Sequence, residues 1–162
     1  MRARLLRFTC AALLTIVATA SNAELAVAAP AAATLDDPRV LPENPFAIAA
    51  STVGVASAID RYDCAPGVDE SGGERVYVVE APMPGKLSAW VEGDGGGVDV
   101  DVHIVVGPSL AGGTLSGCVA RGDRIAEAEV PAGEVLVVVD TFGGAAQAGD
   151  FVLRTAWIGD AW

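Results

Sequence analysis

Histidine and cysteine are scarce in this chain: one and three among 162 residues. A zinc centre needs about four ligands, usually several of them Cys or His, so zinc is not expected. Basic residues are few as well, ten against 21 acidic ones. The net charge of −11 argues against nucleic acid, whose backbone is held by Lys and Arg. Charged residues make up only 19% of the chain. No helical apolar stripe is visible beyond residue 46. The length suits one compact domain and excludes a multidomain enzyme.

The N-terminus carries an address. Arg2, Arg4 and Arg7 form a basic segment ahead of the apolar run Phe8 to Ala20. That run is shorter than the roughly 20 residues a membrane-spanning helix needs. Residues 1–23 therefore read as a signal peptide, with small residues for cleavage at Ser21-Asn22-Ala23 or at Ala26-Val27-Ala28. No twin-arginine pair is present, and Arg7-Phe8-Thr9 before Cys10 does not make a lipobox. The expected location is secreted or periplasmic, with no membrane insertion once the signal is removed. Cleavage takes away three arginines and no acid, leaving 7 basic against 21 acidic residues, a net of −14. Such a charge keeps a protein soluble and repels anionic surfaces. Cleavage also removes Cys10. The remaining pair, Cys64 and Cys118, reads as one disulfide in an oxidising compartment.

Residues 24–45 are rich in Ala and Pro and show no sustained period, so they read as a flexible, extended tail. From residue 46 to 162 short β-like runs are separated by Gly, Pro and Asp. The expected strands are Ser51–Ile59, Arg75–Ala81, Lys86–Glu92, Val98–Val106, Cys118–Arg121, Arg124–Val130, Glu134–Asp140 and Phe151–Ile158. Seven or eight strands about ten residues apart, joined by turns such as Pro82-Met83-Pro84-Gly85, predict an all-β, antiparallel sandwich with one core.

The strand at Val98–Val106 is the most informative. Val98, Val100, Val102 and Ile104 point one way, and Asp99, Asp101 and His103 the other. Carboxylates held side by side repel each other unless something offsets the charge. A Ca²⁺ ion would, since it takes six to eight oxygens in irregular geometry. Asp140 would join Asp99 and Asp101 if its strand is a neighbour. The alternative is a solvated outer face, the ordinary look of a half-buried strand. His103 is the only base for a hydrolytic triad, but no G-x-S-x-G accompanies it, and no catalysis is expected. Trp90 falls on the polar side of its strand and is the candidate exposed binding platform, whereas Trp157 is expected in or near the core. Arg121-Gly122-Asp123 reads as a turn. Gly95-Gly96-Gly97 and Gly112-Gly113 lack the Lys-Ser/Thr and helix of a P-loop.

An ordered series of segments carries a family resemblance. Tyr62 and Cys64 precede Val68-Asp69-Glu70-Ser71-Gly72. Glu74-Arg75-Val76-Tyr77 and Pro84-Gly85-Lys86-Leu87 follow. Then come Asp99-Val100-Asp101-Val102-His103, Ala132-Gly133 with Val135–Val139 and Asp140, and Ala148-Gly149-Asp150-Phe151-Val152-Leu153. Over about 95 residues this series resembles the bacterial pre-peptidase C-terminal domain family. The resemblance implies a jelly-roll-like, non-catalytic β-sandwich that accompanies secreted peptidases, with calcium or polymer binding in some relatives. The expected function is accessory binding to an extracellular protein or polysaccharide surface, by a monomer, with Ca²⁺ as the only candidate cofactor. The alternative is a structural or chaperone-like partner of a separately encoded peptidase, and behind it a small hydrolase built on His103.

Overall fold

A computed structural model describes residues 33–42, 44–93 and 96–159. The proposed signal peptide lies outside the described residues. The ten strands are β1 (Arg39–Val40), β2 (Phe46–Ser51), β3 (Arg61–Tyr62), β4 (Arg75–Ala81), β5 (Gly85–Glu92), β6 (Val100–Ala111), β7 (Thr114–Gly122), β8 (Ile125–Val130), β9 (Gly133–Thr141) and β10 (Asp150–Gly159). One 3-10 turn, Ala145–Gln147, precedes β10. Among the described residues no helix is long and apolar enough to cross a membrane.

The strands pair into a six-stranded sheet, β1-β4-β9-β6-β7-β3, and a four-stranded sheet, β2-β10-β5-β8. All pairings are antiparallel except those of the two-residue strands β1 and β3. The two sheets form a β-sandwich, as expected, with eight longer strands. Alternation decides the inner faces. Leu87, Ala89 and Val91 of β5 and Phe151 and Leu153 of β10 meet Val100, Val102 and Ile104 of β6 and Val135, Val137 and Val139 of β9 in one buried cluster.

There is a second core, which the sequence did not announce. Val76, Val78, Val105, Leu136 and Val138 occupy the opposite face of the six-stranded sheet. They are buried under Ile59, Tyr62 and Leu115. This explains β9, whose residues from Val135 to Thr141 are buried without a break: its sheet is covered on both sides.

The covering segment runs from Thr52 to Glu74 and is mostly irregular. Backbone and side-chain hydrogen bonds fasten it. The Asp60 and Arg61 amides donate to the Gly113 carbonyl at 2.7 and 3.2 Å, and the Gly72 amide to that of Thr141 at 3.1 Å. The Asp63 carboxylate accepts from the amides of Gly117 and Cys118, both at 3.0 Å. Gly113 sits at the β6–β7 turn with φ 75°, next to Gly112 at 54°. Two successive positive φ values make a tight hairpin turn, and a Cβ at Gly113 would strike Asp60.

Two expectations change. The strand expected at Ser51–Ile59 is placed earlier, at Phe46–Ser51, because those residues pair with β10 while the following ones enter the cover. The expected tail 24–45 is, from Ala33 on, part of the sandwich. Arg39 and Val40 pair with β4, and Ala33 and Leu41 are buried against its apolar residues.

Candidate functional site

The chemistry-bearing residues fall in two places. The first lies between the six-stranded sheet and its cover. Asp101 and His103 of β6 point outward, and β9 places Asp140 directly opposite Asp101. β7 places Arg121 opposite His103. The cover contributes Tyr62, Glu70 and Glu74. All of these except Arg121 are buried.

Arg121 is the hub. Its Nε donates to Glu70 Oε1 at 3.1 Å, one terminal nitrogen to Asp101 Oδ2 at 2.5 Å, and the other to Asp123 Oδ1 at 3.1 Å. Its guanidinium is committed to this cluster, and the Arg121-Gly122-Asp123 tripeptide begins inside β7 rather than in a displayed turn. Tyr62 donates its hydroxyl to Asp140 Oδ2 at 2.8 Å, and the Thr141 amide donates to Asp140 Oδ1 at 2.7 Å. The Tyr62 ring stacks on His103 with centroids 3.5 Å apart. Glu74 accepts from the Ala58 amide at 3.0 Å.

Burial sets the protonation of this cluster. Desolvation, then the Asp101 charge, pushes Glu70 up to about 8 despite Arg121. Desolvation also raises Asp101, Glu74 and Asp140, the last well above the carboxylate range although Tyr62 opposes the shift. His103 is pushed down to about 3, by burial first and then by the Arg121 charge. It therefore stays neutral. Neither of its ring nitrogens has a hydrogen-bond partner, and Glu70 Oε1 stands 3.6 Å from its Nε2.

This geometry does not assemble the calcium ligands expected from the sequence. Asp101 and Asp140 are neighbours, but their oxygens are engaged by Arg121 and by Tyr62 and Thr141. Asp99 precedes β6 with an exposed side chain. The three do not gather into a metal-sized group among the described residues. Nor does His103 sit as a general base, which needs a hydrogen bond to its orienting carboxylate and reach to a nucleophile. Cys64 and Cys118 form the expected disulfide, joining the cover to β7 across 54 residues of chain. Their sulfurs and a His103 nitrogen lie within 4.8 Å of one another.

The second place is the outer face of the four-stranded sheet. Register puts Arg154, Trp90 and Ile125 side by side, and Ile158, Lys86 and Glu129 in another row. Trp90 is half-buried, whereas Ile125 and Ile158 are 54% and 71% exposed. Two ion pairs, Lys86–Glu127 at 2.8 Å and Arg154–Glu92 at 2.9 Å, frame the apolar side chains. A shallow cleft runs past Trp90, Ile125, Arg124 and Ala156. Trp157 packs partly buried against the main core, as expected, and Asn44 holds its backbone amide at 2.6 Å. The sequence singled out Trp90. It gave no sign of Ile125, which only the β5–β8 register brings alongside.

No family model matches the chain, and no curated protein matches it in sequence. Solved structures do resemble it. The periplasmic inhibitor of g-type lysozyme PliG from Aeromonas hydrophila is 11% identical, with a TM-score of 0.50 over 74% of this chain and 95% of that one. The Yersinia pseudotuberculosis-derived mitogen is 12% identical, with a TM-score of 0.42 over 73% of this chain and 91% of that one. At such identities the likeness is one of fold.

Proposed function

We propose that this chain is an exported, non-catalytic binding module that docks a basic extracellular protein on the outer face of its four-stranded sheet. The observation that carries the reading is the apolar pair Trp90 and Ile125, side by side across β5 and β8 along a shallow cleft, with Ile125 open to solvent and Ile158 exposed farther along the same face. Tryptophan is enriched among the few residues that carry most of the binding energy at protein interfaces. The acidic excess favours a basic partner and speeds its approach. The disulfide agrees with an oxidising compartment. A non-catalytic role is supported by His103, which is sealed in and lacks the hydrogen bonds a general base needs. The same role fits the resemblance to pre-peptidase C-terminal domains, where the partner is a secreted enzyme.

The fold shared with a lysozyme inhibitor names the first partner to try. Mature protein is tested against g-type lysozyme by inhibition and calorimetry, and against insoluble peptidoglycan by co-sedimentation. Lysozyme binding that Trp90→Ala weakens by roughly tenfold or more, without loss of fold, supports the reading. Sedimentation with peptidoglycan through the same Trp90 would replace the protein partner by a polysaccharide. Binding that Trp90→Ala leaves intact would remove this face from the function.

A further inference from the structure

We propose that reduction of the Cys64–Cys118 disulfide opens a binding site for a thiophilic divalent cation, Zn²⁺ in the first instance, made by the two thiolates and His103. Three observations carry it. The two sulfurs and a His103 ring nitrogen already converge within 4.8 Å. His103 is 0% exposed, yet both ring nitrogens lack a hydrogen-bond partner. A buried imidazole normally satisfies at least one of them. Cys64 is exposed on a turn of the cover, within reach of a reductant, while Cys118 is held in β7.

The disulfide itself is a poor ligand, because the thiolate is the form that binds metal. A dithiol reductant supplies two electrons and two protons. The S–S bond breaks, each cysteine gains an S–H, and the reductant closes into its own disulfide. Zn²⁺ then displaces both thiol protons to solvent and forms two Zn–S bonds and one Zn–N bond. Tetrahedral zinc with Zn–S near 2.3 Å holds its sulfurs roughly 3.8 Å apart. Cys64 must therefore swing outward by about 2 Å, which its turn permits and the β7 backbone does not. Glu70 faces the imidazole, with Oε1 3.6 Å from His103 Nε2 and Oε2 unpartnered. The closed disulfide thus keeps a soft-metal site locked, and the scarcity of Cys and His in the chain does not exclude it, because the fold brings three of the four together.

The purified chain, oxidised or reduced with a non-coordinating phosphine, is titrated with Co²⁺ and then Zn²⁺. The reduced chain is expected to take one equivalent of Co²⁺ with thiolate-to-metal charge-transfer absorption, which Zn²⁺ abolishes. The oxidised chain is expected to show none. Cys64→Ser and Cys118→Ser should each lose the band. His103→Gln should bind at least roughly tenfold more weakly, the loss that follows removal of even an outer-shell partner. If reduction unfolds the chain, the readout becomes recovery of β-sheet circular dichroism on adding Zn²⁺, present in the parent and absent in His103→Gln. No charge-transfer band and no recovery, or equal binding by His103→Gln, overturns the proposal.

Discussion

The outer face of the six-stranded sheet carries Asp101, His103 and Asp140, and all three are buried; that of the four-stranded sheet carries Lys86, Trp90, Ile125 and Ile158, and none is fully buried. By residue type the placement is inverted. Acids and an imidazole are inside, isoleucines outside. The difference is the cover, Thr52 to Glu74, which closes over one sheet and has no counterpart on the other among the described residues. Alternation along a strand tells which face a side chain takes. It does not tell what lies over that face. Ionisable groups survive under the cover because Arg121 ties Glu70 to Asp101 and because burial keeps protons on the carboxyls.

The hardest way to break the comparison is to unfasten the cover. Replacing Cys64 and Cys118 by Ala frees a loop of 54 residues, which is expected to cost about 4 kcal/mol. Since a domain of this kind has a total stability of about 5–15 kcal/mol, the melting temperature should fall by roughly 10–20 °C. A loss under about 1 kcal/mol in urea unfolding would mean that hydrogen bonds and the second core hold the cover alone. Removing the hub comes next. Arg121→Ala leaves Asp101, and above about pH 8 Glu70 as well, buried without a cation, at an expected cost of about 3 kcal/mol. The loss should shrink when Glu70→Gln and Asp101→Asn are added, because the groups left behind are then neutral.

A pH scan sharpens the same point. In the folded, disulfide-closed protein Glu70 holds its proton up to about 8, whereas unfolded it releases it near 4.5. Between those values the unfolded state binds fewer protons, so stability falls as pH rises. His103 acts in the opposite sense below its ordinary 6.5, because the folded state refuses the proton that the unfolded state accepts. Asp101, Glu74 and Asp140, all raised by burial, add to the alkaline loss, while Arg121 restrains Glu70. From pH 6.5 to 8 the Glu70 contribution alone amounts to about 2 kcal/mol. Unfolding of Glu70→Gln across that window should lack this part of the slope. An unchanged slope would mean that Glu70 is already ionised at pH 6.5.

Much of the sandwich was legible. Arg75–Ala81, Lys86–Glu92 and Phe151–Ile158 alternate or run apolar as strands must, and the observed strands match them within one or two residues. The disulfide followed from cysteine number and compartment. The cluster was only half legible. Asp101, His103 and Asp140 stood out, but Glu70 and Arg121 read as turn residues. A Gly112-Gly113 turn fixes Ala111 opposite Thr114, and counting back from there would set His103 against Gly122. The β6–β7 ladder instead shifts register twice, between Val105 and Ser109 and again between Ile104 and Val105, for a net slip of one residue, and Arg121 takes the place. A single slipped residue changes which side chains face each other, and bulges are not written in alternation. The cover was illegible for a related reason: its order comes from bonds to Gly113, Thr141 and β7, all distant in sequence.

The smallest expected effect on stability belongs to the open face, and its smallness is the test. Ile158 is 71% exposed, and Ile125 54%. Side chains in such positions lose little apolar contact when replaced, so Ile158→Ser should change stability by no more than about 0.5 kcal/mol. Trp90 is half-buried beside Ile125 and Arg154, and its replacement by Ala should cost somewhat more, though less than Arg121→Ala. A face kept apolar for folding would give the reverse order, with losses at Ile125 and Ile158 on the scale of core truncations, about 2–5 kcal/mol. Near-neutral folding effects combined with lost lysozyme binding would separate the two roles of the sandwich: the covered sheet spends its side chains on stability, and the open sheet keeps its own for a partner.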